Sequence, residues 1–241
     1  MTGEPPKPSC HFSIKLKKSA YSISSRRIKQ KSNTTSDKCS TFTVPLKVPN
    51  CWINDPNGFI WYKGQYHLFY QCFPYAPQWG RMHWGHAVSK DLINWEKKGI
   101  ALYPTKIDDR SGCFSGSAVE QDGTLYLFYT GVNYLEENPE DINQCQNDQF
   151  LAAQLMIASD DGMTFDNVKR KKTVIPPIAE EAIGSKTHTR DPKVWRGKDA
   201  WYLVLGSSVD HKGRLLIYKS SDLQNWTYFS HVEKDNFGWM W

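Results

Sequence analysis

The sequence predicts an all-β fold, a β-propeller present as about three blades and the start of a fourth, and three observations lead to it. The segments "GFIWYKGQYHLFYQ" (58–71), "GSAVEQDGTLYLFYTG" (116–131) and "DPKVWRGKDAWYLVLGS" (191–207) each read as two strands joined by a turn that contains Gly or Asp. Each is followed by a second strand pair of one pattern, "HWGHAVSKDLINWEKKG", "QLMIASDDGMTFDN" and "RLLIYKSSDLQNWTYF": a strand, Ser, an Asp-bearing turn, then an aromatic opening another strand. Aromatic residues make up 14% of the 241, with 10 Trp and 12 Tyr set in short runs beside polar residues, which suits strands better than a helical bundle.

The repeated unit is therefore a four-stranded meander, and few helices are expected. It recurs 59 residues on, from Tyr70 to Tyr129, and 76 residues on, from Tyr129 to Leu205. The longer second interval holds two polar segments, "EENPEDINQCQNDQ" and "IPPIAEEAIGSKTH", which read as loops. Asp91, Asp160 and Asp222 are expected to cap the turns between third and fourth strands. Four-stranded units at this spacing mark a propeller, which closes with about four to eight blades. The terminal "FGWMW" reads as the start of a fourth blade, so the chain is expected to be a truncated one that leaves an apolar blade face exposed.

Charge divides the chain in two. Residues 1–40 carry nine Lys and Arg against Glu4 and Asp37, leaving 21 basic and 23 acidic groups for the remainder. Residues 1–41 are expected to be a basic, disordered tail and residues 42–241 the propeller part. The folded part lacks the excess positive charge that phosphate backbones require, which excludes nucleic acid as a partner. With no run of 18 apolar residues a membrane span is excluded, and no secretory signal pattern is seen. Six cysteines without CxxC pairs or metal-ligand spacing read as free thiols of a reducing compartment, hence a cytoplasmic location. No cofactor is expected.

The chemistry concentrates in "CWINDPNGF". Asn, Asp, Pro and Gly in a row are turn formers, and the stretch reads as a turn. Asp55, however, precedes Tyr70 by 15 residues, Ser115 precedes Tyr129 by 14, and Asp191 precedes Leu205 by 14. Three polar groups thus fall at equivalent places, each at the beginning of a blade's first strand. First strands line a propeller's axis, so these side chains are expected to converge at one mouth of the channel. Two converging carboxylates suit glycoside cleavage, which uses one as nucleophile. His83 and His86 in "HWGH" do not form a metal site, because residues three apart in a strand face opposite sides. No Gly-rich phosphate loop is present to support phosphoryl chemistry.

"WINDPNG", "YHLFYQ", "PQWGRMHWGHAVSKDLINWE", "GCFSGSAV", "LYLFYTG" and "HTRDPKVW" together resemble glycoside hydrolase family 32, the invertases, sucrose-6-phosphate hydrolases and fructanases. The resemblance runs in order from about Phe42 to Trp241. It implies a five-bladed propeller followed by a β-sandwich, and retaining hydrolysis of a β-fructofuranosyl bond in a small sugar substrate such as sucrose or a fructan. It further implies Asp55 as nucleophile and Asp191 as transition-state stabiliser with Arg190 beside it. Trp52, Asn54, Gln71, Trp79, Phe114 and Ser115 match positions that line the sugar pocket in the family.

Two departures stand out. Cys51 occupies a position where the family usually has Gly, which questions a Gly-only backbone conformation there. The family's acid/base glutamate follows a Trp, and here the sequence reaches Trp241 with that glutamate expected as the next residue. Without the acid, worth typically about 10²- to 10⁴-fold, residues 1–241 alone are expected not to hydrolyse sucrose appreciably. A non-catalytic fructoside-binding module is the competing expectation. A third, a five-bladed arabinosidase or xylosidase, is disfavoured by "WINDPNG" together with "GCFSGSA".

Overall fold

The computed structural model describes residues 50–234, Phe237 and Gly238, all within one compact unit, Pro45–Trp241. The basic tail, residues 1–41, lies outside the described residues, as does most of the segment read as the start of a fourth blade.

Three four-stranded antiparallel sheets follow one another along the chain. The first is β1 (Trp52–Tyr62), β2 (Gln65–Phe73), β3 (His83–Ser89) and β4 (Glu96–Leu102), paired in that order. The second is β5 (Gly112–Gln121), β6 (Thr124–Tyr134), β9 (Phe150–Ser159) and β10 (Lys171–Ile175), with a small hairpin, β7 (Glu137–Asn138) and β8 (Asp141–Cys145), inserted between its second and third strands. The third is β11 (Arg190–Arg196), β12 (Trp201–Val209), β13 (Lys212–Ser220) and β14 (Thr227–Glu233). These are three blades of a β-propeller. The only helical element among the described residues is a single 3₁₀ turn, Ile107–Asp109.

The blades stack because their middle strands are apolar on both faces. In β6, Leu125, Leu127 and Tyr129 turn toward the first blade and join Phe69, Trp84 and Leu102 in one core. The alternate residue Phe128 turns the other way and joins Leu203, Leu205 and Leu216 of the third blade in a second core. This is the period-two alternation of a strand buried on both sides. Each such fully buried side chain contributes roughly 1.5–3 kcal/mol relative to exposure.

The turn joining the last two strands of each blade is the same device three times. Asp91 accepts from the amides of Ile93 and Asn94, and Asp222 from those of Gln224 and Asn225. The next residue has a left-handed backbone, Leu92 at φ 66° and Leu223 at φ 65°. In the second blade the cap is Asp161, bonded to the amides of Met163 and Thr164, with Gly162 at φ 72°. Asp160, expected as that cap, instead pairs bidentately with Arg170. Two adjacent aspartates made the sequence ambiguous, and the residue two beyond Ser159 takes the role because Ser159 Oγ reaches Asp161 Oδ1.

Two other expectations change. The segment 136–149, read as loop, contains the β7–β8 hairpin. The stretch "NDPNG" is not a turn but lies inside β1, whose pairing with β2 slips twice, between Ile53 and Pro56 and between Asn57 and Ile60. Bulges need the same residues as turns, a proline without a ladder donor and a glycine at positive φ, here Gly58 at φ 52°.

Candidate active site

A bulge occupies the same place in the first strand of every blade. Asn54 and Asp55 oppose Gln71, Phe114 and Ser115 oppose Thr130, and Asp191 and Pro192 oppose Leu205. A bulge adds one residue and re-aims the side chains there, so each blade delivers a side chain out of the regular alternation. Asp55 and Ser115 take the second position of their bulges, whereas Asp191 takes the first. Equal sequence spacing to the second strand hid this one-residue offset.

The inner strands are tied to one another at this level. Ser115 Oγ donates to Asp55 Oδ2 at 2.6 Å, and Asn57 Oδ1 accepts from Gly116 N at 3.3 Å. Ser117 Oγ donates to Pro192 O at 2.7 Å and accepts from Val194 N at 3.1 Å. Within the second blade, the pairing of β5 with β6 leaves no room for a side chain at Gly116, where a Cβ would stand 1.9 Å from Phe128 O.

Asp191 is fixed by its backbone. It sits at φ 61°, a costly conformation for a non-glycine residue, and its amide donates to Thr130 Oγ1 at 3.0 Å. Thr130 in turn donates to Gln154 Oε1 at 2.7 Å, and Gln154 Nε2 donates to Thr189 O at 3.0 Å. The Asp191 side chain reaches solvent, but the protein crowded around its carboxyl pushes its pKa up. The Arg190 guanidinium opposes that rise and the Asp55 carboxylate adds to it. Burial pulls the Arg190 pKa down, while Asp191 and Asp148 favour its charge.

The remaining expected lining residues fall into two groups. Trp52 Nε1 donates to Asn54 Oδ1 at 2.9 Å, and Asn54 Nδ2 donates to the buried Gln71 Oε1 at 2.7 Å, which orients the amide next to Asp55. Trp79 is exposed and meets Phe114 edge to face, with ring centroids 6.0 Å apart. Phe114 itself packs half-buried against Val132, Tyr134 and Phe150. It is part core and part rim.

His83 and His86 take separate partners. His83 Nδ1 lies 2.8 Å from Arg81 O and His86 Nε2 lies 3.0 Å from His67 Nδ1. Among the described residues no group of three or more His, Cys, Asp or Glu is placed to hold a metal ion. At the departure Cys51, the positive φ belongs to Asn50 at 65°, a residue type that tolerates it, and Cys51 is buried without needing it. Cys72, Cys113 and Cys145 carry free thiols.

Sequence reasoning missed Thr130, Gln154, Asp148 and His188. The first two were detectable as lone polar residues within the apolar strands "LFYTG" and "AAQLM", and they face each other in the β6–β9 register.

Residues 46–241 match the model of the glycosyl hydrolases family 32 N-terminal domain. A sucrose-6-phosphate hydrolase of Zymomonas mobilis is 42% identical over 193 residues, covering 77% of this chain and 35% of that protein. One from Escherichia coli is 43% identical over 184 residues, covering 76% of this chain and 36% of its own length. Among solved structures, a GH32 beta-fructofuranosidase of Bombyx mori superposes with a TM-score of 0.67 at 40% identity, covering 80% of this chain and 38% of that one. A mutant of the same enzyme, in complex with sucrose, gives 0.66 at 38% identity over 80% of this chain and 38% of that one. The chain thus spans about a third of the length of the curated relatives it matches.

Proposed function

The chain belongs to glycosyl hydrolase family 32, and on that premise we propose that it supplies the nucleophile and the transition-state stabiliser of a retaining β-fructofuranosidase. The observation that carries this reading is that Asp55 and Asp191 sit on matching inner-strand bulges of the first and third blades, Asp55 bonded by Ser115 of the blade between them and Asp191 within reach of the Asp55 and Arg190 charges.

In the first step an Asp55 oxygen attacks the anomeric carbon of the fructosyl unit as the bond to the leaving sugar breaks. The leaving oxygen takes its proton from a general acid, which in a retaining glycosidase is a second carboxyl group. The conjugate base of that acid then takes a proton from water as the water attacks the same carbon, the ester bond to Asp55 breaks, and fructose leaves with retained configuration. Asp191 serves as an anion that hydrogen-bonds fructose hydroxyls and offsets the positive charge developing at the ring. Trp52, Asn54, Gln71 and Ser115 orient the sugar and Asp55, while Trp79 and Phe114 provide an apolar rim for a ring face. The Arg190 charge favours the ionised form of Asp191. The substrate is a small fructoside of the sucrose type, in line with the relatives named above.

The test is to express the protein from its complete native reading frame and follow fructose release from sucrose, with Asp55→Ala alongside. Wild-type turnover with none above background for the variant is expected, and an Asp55→Ala variant with wild-type kcat would overturn the assignment. Saturable sucrose binding without turnover by the wild type would favour a binding module instead.

A further inference from the structure

The residues flanking Asp191 form a chain that reaches back to the insertion of the second blade. Arg190 Nη2 lies 3.2 Å from His188 Nδ1, and His188 Nε2 lies 3.2 Å from Asp148 Oδ2, three residues beyond β8. We propose that His188 is a positioning residue for Asp191: tethered by Asp148 in the Nε2-protonated tautomer, it presents Nδ1 as the acceptor that holds the Arg190 guanidinium beside the Asp191 carboxylate. The part of this that concerns turnover rests on the fructosidase reading above.

Hydrogen-bond chemistry dictates the tautomer. A guanidinium has only donors, so the nitrogen facing Arg190 must accept. The proton then sits on Nε2 and is donated to Asp148. A protonated ring would turn a donor toward Arg190 and set two cations against each other. The environment supports the neutral form: burial and Arg190 both pull the His188 pKa down, and Asp148 opposes them in part.

The ring is held by more than its two nitrogens. His188 packs edge to face on Phe150, with centroids 5.6 Å apart at 89°. Its amide donates to Ser185 Oγ at 2.9 Å, and the strand beside it is tied down through Thr187 Oγ1 to Phe150 O at 3.0 Å and Ala152 N to Lys186 O at 2.9 Å. Asp148 comes from the second blade and His188 from the start of the third, so the chain clamps the two blades at the mouth. The charged groups acting on His188 are Asp148 and Arg190, and those acting on Asp191 are Arg190 and Asp55. Among the described residues, Arg190 is the charge that favours the Asp191 anion, against burial and the Asp55 charge, which disfavour it.

The experiment titrates the Asp191 carboxyl by ¹³C NMR, assigned through Asp191→Asn, in the protein from its complete reading frame and in its His188→Leu and His188→Asn variants. Thermal melts verify that each variant folds. His188→Leu removes the acceptor, and the Asp191 midpoint is expected to move to higher pH by about 0.5–1 unit, as for a carboxylate losing part of one charge partner. His188→Asn keeps an oxygen at the Nδ1 place and is expected to restore most of that shift. Ring ¹⁵N shifts should show Nε2 protonated and Nδ1 bare. An unchanged Asp191 titration in a folded His188→Leu protein, or an Nδ1-protonated ring, overturns the proposal.

Kinetics then separate positioning from a merely structural role. The acidic limb of kcat/KM should move to higher pH in His188→Leu with KM little changed, and His188→Asn should return it. A folded His188→Leu protein whose pH profile matches the wild type also counts against the proposal. Should the wild type not hydrolyse fructosides at all, the fructosidase reading fails, while the carboxyl titration and ring tautomer still decide the positioning role.

Discussion

Ser115 Oγ in the second blade donates a 2.6 Å hydrogen bond to Asp55 Oδ2 in the first, so the proposed nucleophile is held by a residue 60 positions away. Attack needs the carboxylate oxygen aligned at near-contact distance, and this hydrogen bond fixes its orientation. Hydrogen bonds to charged groups contribute about 1.5–3 kcal/mol, so Ser115→Ala is expected to lower kcat roughly 10- to 100-fold. The melting temperature should hold, as measured on the protein from its complete reading frame. An unchanged kcat would show that Asp55 needs no such support.

Gly116 in β5 lies against the backbone of β6. A Cβ there would lie 1.9 Å from Phe128 O and 2.7 Å from Tyr129 Cα, both backbone atoms that cannot swing aside. Gly116→Ala is expected to destabilise by at least about 3 kcal/mol, the upper end of ordinary overpacking, or to abolish soluble expression. Urea denaturation measures it. A wild-type midpoint would mean that the strands can separate at little cost.

Lys171 Nζ and Asp109 Oδ2 are 2.7 Å apart with neither side chain exposed, and Tyr129 Oη donates to the same oxygen at 2.7 Å. Asp109 Oδ1 also accepts from the amides of Thr105 at 2.8 Å and Lys106 at 2.7 Å. Removing one member of a buried ion pair leaves the other charge desolvated, so Lys171→Met should cost about 3–5 kcal/mol by chemical denaturation. Adding Asp109→Asn should cost less than the sum of the two single changes. Strict additivity would contradict a coupled pair.

His67 Nδ1 and His86 Nε2, 3.0 Å apart and both buried, share one hydrogen bond that requires a bare nitrogen on one ring. Burial, and then the neighbouring His67 and Lys98, push the His86 pKa from 6.5 down to about 3, and burial lowers that of His67 as well. Between those limits the unfolded chain binds protons that the folded one refuses. The stability this contributes is full above about pH 6.5 and is lost as pH falls toward 3. Melting temperatures across that range should fall more steeply for the wild type than for His86→Gln, and equal slopes would contradict this account.

The blade repeat was legible because strand patterning is local: "LYLFYTG" is an apolar run whatever lies beside it. Asp55 and Asp191 were legible as candidates through their similar distances, 15 and 14 residues, from the second strand. "NDPNG" was misread as a turn because a bulge and a turn draw on the same backbone-permissive residues. Asp160 was preferred over Asp161 for want of the Ser159 contact. The hairpin in "EENPEDINQCQNDQ" was missed because its strands are too short for any alternation to register.

Sequence alone therefore determined the architecture, the family resemblance and the two carboxylates, since each is written in runs of neighbouring residues. Tertiary structure decided how the carboxylates are aimed and held. The inner-strand bulges, the Ser115 hydroxyl on Asp55, the Thr130 and Gln154 support of Asp191 and the path from Asp148 through His188 to Arg190 all depend on register and on blade-to-blade contact. Those pairings join residues up to 61 positions apart, and no local pattern specifies which polar side chain meets which across a packed interface.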